Sequence, residues 1–207
     1  MLIDLIHKFL PKRNVRYDDS FFQEQWFSSW EELKYVLFQL IESEKAWKKI
    51  LDFGCGPGIM IDFMNEKSYE YIGCDYSSDA YKLYQDRFGK FPEFYVNSLS
   101  SKLCQKPLDV FLSFDVFEHL TDQQIVEVLK NISHIPTLFL NISRTRGIPG
   151  HINLKSDRSW ITFIQSQAYE FDKSQTERMR SFYSTIREGS PDQWNKNIFI
   201  FQKVNKN

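Results

Sequence analysis

Residues 50–64, ILDFGCGPGIMIDFM, place three glycines within five positions, between a β-prone apolar run and a helix-patterned one. Ile50, Leu51 and Phe53 read as a strand. Ile59, Ile61, Phe63 and Met64 supply apolar positions to a helix that follows, which leaves the glycines at the turn between them. Glycine reaches positive φ and lets a ligand approach the main chain closely, while a helix start offers unpaired N–H groups. Such a turn grips a small ligand mainly by backbone. A phosphate-cradling P-loop needs Gly-x-x-x-x-Gly-Lys-Ser/Thr, and counted from Gly54 the matching places hold Ile59 and Met60, so that class fails. A dinucleotide fingerprint fits poorly, because its third glycine comes one position early, at Gly58, and Ile59 stands where it is required.

What remains, Asp52-x-Gly54-x-Gly56-x-Gly58, resembles the first motif of the Rossmann-like (class I) S-adenosylmethionine (SAM) dependent methyltransferases. A second apolar run, from Tyr69 to Cys74, ends in Asp75, followed by Tyr76 and a helix cap at Ser77 or Ser78. An acid at the end of the second strand, about twenty residues beyond the turn, can accept hydrogen bonds from ribose hydroxyls. The resemblance implies SAM as cofactor, S-adenosylhomocysteine (SAH) as product, and a cofactor site of Asp52, Gly54, Cys55, Gly56, Gly58, Asp75 and Tyr76, with Tyr76 against adenine. Asn97 and Ser98 would border adenine, although the family more often has Asp there. The stretch LDVFLSFDVFEHL, Leu108 to Leu120, looks like the fourth motif of small-molecule methyltransferases, many of which carry a Glu-His-Leu step here. By that resemblance, Phe114 and Asp115 lie near the methionyl end of SAM.

Composition bounds the rest. A chain of 207 residues with 42% hydrophobic content can bury one sizeable α/β core, and a net charge of −1 supplies no global attraction to nucleic acid or an anionic membrane. The charge is uneven, with eight Lys/Arg against four Asp/Glu between Asn141 and Arg187. Cys55, Cys74 and Cys104 form no Cys-x-x-Cys pair, which speaks against a disulfide framework or zinc cluster and for a reducing, cytoplasmic setting. MLIDLIHKFLPKRN lacks the features of a signal peptide, and no run is long and apolar enough for a membrane span.

The pattern predicts an aromatic, helical cap segment over residues 1–45 and a SAM-binding domain over 46–207, together one compact unit. An amphipathic helix from Trp30 to Ser43 precedes strands that alternate with helices: Lys49 to Phe53, Tyr69 to Asp75, Phe94 to Val96, Leu108 to Phe114, TLFLNI after Pro136, and NKNIFIFQKV at the end. Thr121 and Gln124 read as a capping box, and Ser156 as the cap of a helix that turns Trp160, Phe163 and Ile164 inward. The resemblance implies a mostly parallel seven-stranded sheet with helices on both faces and an antiparallel last strand inserted near its edge.

Methyl transfer is an in-line displacement from a sulfonium, so the protein chiefly aligns acceptor, methyl and sulfur. A hydroxyl acceptor also needs a base, and His119 is the first candidate, with Glu118 orienting it. The loop NISRTRGIPGHINLKS, Asn141 to Ser156, follows the fifth strand and offers Arg144, Arg146 and His151 as substrate donors, with His151 as a second base. Asp115-x-x-Glu118-His119 also resembles the acidic-His cluster of the ubiquinone-biosynthesis O-methyltransferases, but adjacent Glu118 and His119 need not point together, and the reading expects no metal. The expectation is an O-methyltransferase acting on a small molecule or a sugar or glycan precursor, anionic in the extended form of the reading, with no nucleic-acid partner. N-methylation of a small amine and a catalytically silent SAM-binding partner protein remain open beside it.

Overall fold

A computed structural model describes residues 36–58, 60, 61, 64, 67–89, 93–96, 106–186 and 194–204. The expectations for residues 1–35, Asn97, Ser98 and Cys104 lie outside these. Seven strands form one sheet: β1 (Lys49–Phe53), β2 (Glu70–Asp75), β3 (Glu93–Val96), β4 (Val110–Phe114), β5 (Thr137–Asn141), β6 (Tyr169–Phe171) and β7 (Ile198–Lys203). Their order is β3-β2-β1-β4-β5-β7-β6. The first five pair in parallel, and β7 lies antiparallel between β5 and β6. Strand order reverses between β1 and β4, so a crevice opens beyond their carboxyl ends, where open α/β sheets bind ligands.

Alternation along the strands sorts the core into two layers. Ile50, Tyr71, Val110, Leu112, Phe139, Ile198 and Ile200 pack on one face with Val36, Leu37, Leu40 and Ile41 from a helical segment at residues 36–43. Leu51, Ile72, Phe111, Leu138, Leu140, Phe199 and Phe201 face the other way, against α2 (Asp122–Asn131) and α3 (Asp157–Gln165). The last described turns of the expected N-terminal cap therefore belong to the main core.

Helix starts fall where the side chains direct them. Ser77 caps α1 (Ser78–Phe88) by accepting from the Ala80 N–H, Thr121 and Gln124 form the full capping box of α2, and Ser156 caps α3. Two features depart from the sequence pattern. Trp194–Asn197 coils as a 3-10 turn before β7 instead of extending the strand. β6 and α4 (Lys173–Ile186) were not anticipated: the strand has three residues, and the helix buries only Thr176, Met179 and Tyr183. Among the described residues no helix is long and apolar enough to cross a membrane.

Candidate active site

The glycine turn is built as the spacing requires. Gly54, Gly56 and Gly58 have φ of 78°, 53° and 80°. A Cβ on Gly54 would stand 2.2 Å from Cγ2 of Val116, so the turn after β1 and the chain leaving β4 touch with no room for a side chain. The N–H groups of Gly54 and Cys55 both donate to the Cys74 carbonyl, at 2.7 and 3.3 Å, which ties the turn to the end of β2.

That tie places Asp75 directly on the turn. Its carboxylate, with the residue only 8% exposed, accepts from the Gly56 N–H at 2.8 Å and the Ser77 N–H at 2.9 Å. Burial raises its pKa, and these backbone donors pull against the rise. Tyr76, next along the chain, is 41% exposed at the same edge. Three of the expected cofactor residues turn their side chains into the core. The Asp52 side chain is buried beneath the turn, where it accepts from the Tyr71 hydroxyl at 2.5 Å, and burial pushes its pKa up to about 7. The Cys55 thiol is likewise turned inward, and Phe114 packs edge-on to Phe139 with centroids 5.0 Å apart.

A second group gathers at the end of β4. Asp115 takes a left-handed φ of 53° as the chain turns into the 3-10 segment Phe117–His119. Its Oδ2 accepts from the Trp194 indole N–H at 3.1 Å, a contact no sequence motif announced; Trp194 is in turn stacked on Tyr183. Glu118 is fully buried. Its Oε1 accepts from the Ser143 N–H at 2.9 Å and lies 4.0 Å from His151 Nε2, while Oε2 has no donor and faces the Asp115 carboxyl. Burial and then the Asp115 charge push Glu118 well above the usual carboxylate range, and burial lifts Asp115 to about 6.

Glu118 meets the ring of His151 as well as lying close to its neighbour His119. The two imidazoles meet edge to face with centroids 4.7 Å apart. His151 Nδ1 lies 3.0 Å from the Thr145 carbonyl, which can only accept, so Nδ1 carries the proton and Nε2 presents a lone pair toward Glu118. His119 donates to the Gly150 carbonyl in the same way. Its pKa falls to about 4, through burial first and His151 second, and burial lowers that of His151, so both rings are neutral at pH 7. One ligand atom from each of Glu118, His119 and His151 lies within 4.8 Å of the others. Three lone-pair donors converge, a set able to accept a proton from an acceptor molecule or to hold a divalent cation.

Of the basic residues in the loop, Arg144 is not a free donor. It pairs with Asp157 and also donates to Asn197 Oδ1 and the Lys196 carbonyl, joining the loop to the start of α3 and the approach to β7. Arg146 is exposed.

Residues 51–135 match the family model described as a methyltransferase domain. The chain has the Rossmann-like α/β methyltransferase fold, and residues 51–135 carry the sequence of a methyltransferase domain. A probable S-adenosylmethionine-dependent methyltransferase of Mycolicibacterium smegmatis is 28% identical over 101 residues, which cover 49% of this chain and 38% of the relative's length. Among solved structures, a TehB-like SAM-dependent methyltransferase from Corynebacterium glutamicum matches with a TM-score of 0.60 at 15% identity, over 86% of this chain and 96% of that one. The magnesium protoporphyrin IX methyltransferase of Synechocystis, with bound SAM, matches with 0.56 at 12% identity, over 90% and 94%. A sugar N-methyltransferase from Streptoalloteichus matches with 0.59 at 10% identity, over 98% and 92%. At these identities the chain shares their fold alone.

Proposed function

We propose that this methyltransferase holds SAM across the glycine turn, with Asp75 on the ribose and Tyr76 beside adenine, and transfers the methyl to a hydroxyl of a small molecule or of a sugar or glycan precursor. The observation that carries the reading is the pair of neutral imidazoles beside Glu118, at the end of β4 and across from the turn. SAM supplies an electrophilic methyl. The protein must align the acceptor and remove its proton, and His151 Nε2 or a ring nitrogen of His119 can take it. Glu118 Oε1 would then accept a hydrogen bond from the imidazolium. Arg146, rather than Arg144, is the residue placed to meet an anionic acceptor.

Calorimetry supplies the first test: SAH should bind and NAD should not, and an NAD-binding, SAH-silent protein would sink the reading. With radiolabelled SAM and a panel of nucleotide sugars and polyols, transfer should fall about 100-fold in His151→Gln or His119→Gln, the usual scale for a lost general base. Transfer confined to amines would replace O- by N-methylation, and SAH binding without transfer to any acceptor would indicate the silent partner.

The convergence of Glu118, His119 and His151 favours a second reading, in which these three hold a divalent cation that lowers the pKa of the acceptor hydroxyl. The donor set fits a metal with mixed oxygen and imidazole preference. Titration of the chelated protein with Co²⁺ or Mn²⁺ should then show one site that disappears in His151→Gln. Absence of binding at millimolar metal would leave the imidazoles as plain bases.

A further inference from the structure

His151 and the Glu118–His119 turn lie on separate segments, and something must keep the imidazoles facing each other. The main chain does part of this: the Ile152 and Asn153 N–H groups both donate to the Glu118 carbonyl, at 2.9 and 3.0 Å. The Asn153 side chain does the rest. The residue is 9% exposed, and its Nδ2 donates to the Leu120 carbonyl at 2.9 Å and to Asp122 Oδ1 at 2.7 Å. Its Oδ1 accepts from Lys155 Nζ, which also reaches Asp122 at 2.6 Å and lies over the rings of Trp160 and Phe163. Asn153 thus makes both amide donors and its acceptor count, in contacts that straddle the 3-10 turn and the first turn of α2.

We propose that Asn153 is a positioning residue: with Asp122 and Lys155 it clasps the loop after β5 onto the Glu118–His119 turn and so holds His151 against His119. The clasp acts through His151 and touches neither cofactor nor acceptor. It has a physical rationale in the chain itself. The loop between β5 and α3 is fifteen residues long, contains Gly147, Pro149 and Gly150, and has no regular structure of its own. Without an external anchor such a segment samples many conformations, and an imidazole carried on it would face Glu118 only part of the time. Asn153, two residues from His151, is the nearest point at which the loop can be fixed by side-chain bonds to a capped helix.

The inference rests on the transferase reading for its kinetic consequence alone; the positioning itself is tested without any acceptor. In the full chain, cross-relaxation between the ring protons of His119 and His151 reports their contact directly by NMR. Asn153→Leu, which keeps the branched outline of the side chain and removes all three of its hydrogen bonds, should abolish that ring–ring signal, while SAH affinity by calorimetry stays within about threefold of the original. Asp122→Ala, a surface change that removes one partner of the clasp, should weaken the signal in the same direction and serves if Asn153→Leu does not fold. An unchanged ring–ring signal in both variants would overturn the proposal. A protein that never binds SAH would overturn the functional reading and leave the NMR result to stand by itself. With a transfer assay, Asn153→Leu should lower kcat at least tenfold with KM for SAM unchanged, and should cost nothing further in a His151→Gln background. Losses that multiply instead would show that Asn153 does not work through His151.

Discussion

Replacing Asp75 by alanine is expected to weaken SAH binding by at least 100-fold. The carboxylate stands at the end of β2, almost out of water, with its two oxygens taken by the Gly56 and Ser77 N–H groups. It therefore has a fixed direction before any ligand arrives, and each oxygen keeps acceptor capacity beyond its one backbone donor. Two hydrogen bonds from ribose hydroxyls to a charged acceptor contribute about 1.5–3 kcal/mol each, and each 1.4 kcal/mol is a factor of ten, which sets the scale. Calorimetric titration with SAH reads the effect, and affinity within about threefold of the original would remove Asp75 from the cofactor site. Loss of binding through a disordered turn is a separate matter. It is recognised by a parallel melting curve, because the bonds to Gly56 and Ser77 also disappear.

Gly54→Ala should be the most damaging single methyl group in the chain. The residue adopts φ of 78°, a region that disfavours side chains by about 1–2 kcal/mol, and the added Cβ would lie 2.2 Å from Cγ2 of Val116. Val116 is β-branched, which stiffens its χ1, and it sits between Asp115 and the buried Phe117, so relief requires the chain after β4 to move. Strain of this kind in a packed site costs about 1–3 kcal/mol more. For a domain of this size the sum corresponds to a fall in Tm of roughly 10 °C, checked by thermal unfolding. The movement would displace Asp115 and Glu118 as well, so residual folded protein should bind SAH poorly. In contrast, a Cβ at Gly147 would meet nothing within 4 Å; Gly147→Ala, though at φ of 83°, carries only the backbone strain.

These two expectations mark how far the primary structure could be read. The turn, its glycines, Asp75 and the helix caps at Ser77, Thr121 and Ser156 are local devices, each defined by a few neighbouring residues and a fixed spacing. Their appearance in the expected places follows from that. β6 escaped notice because three residues are too few to show a period of two, and α4 because only Thr176, Met179 and Tyr183 of its fourteen residues are buried. The direction of a side chain at a strand end was also illegible. Asp52 and Cys55 lie in the motif yet turn beneath it, and Phe114 ends β4 yet packs sideways on Phe139.

The chemistry at the second half of the site depended on contacts between distant segments. Glu118 and His119 are adjacent in sequence, but Glu118 points to His151, and His119 meets that same ring edge to face. Trp194 reaches Asp115 across 79 positions, and Arg144, which looked free for a substrate, is occupied by Asp157 and the approach to β7. By itself, then, the amino-acid order determined the parallel sheet, the turn after β1 and the acid after β2, because backbone conformation at glycine and period-two burial are properties of short stretches. The tertiary structure decided which imidazole faces which carboxyl, which nitrogen is bare, and how the loop after β5 is held. Those depend on where the sheet brings the ends of β4 and β5 and the chain before β7 together, and on how far burial among them shifts each proton.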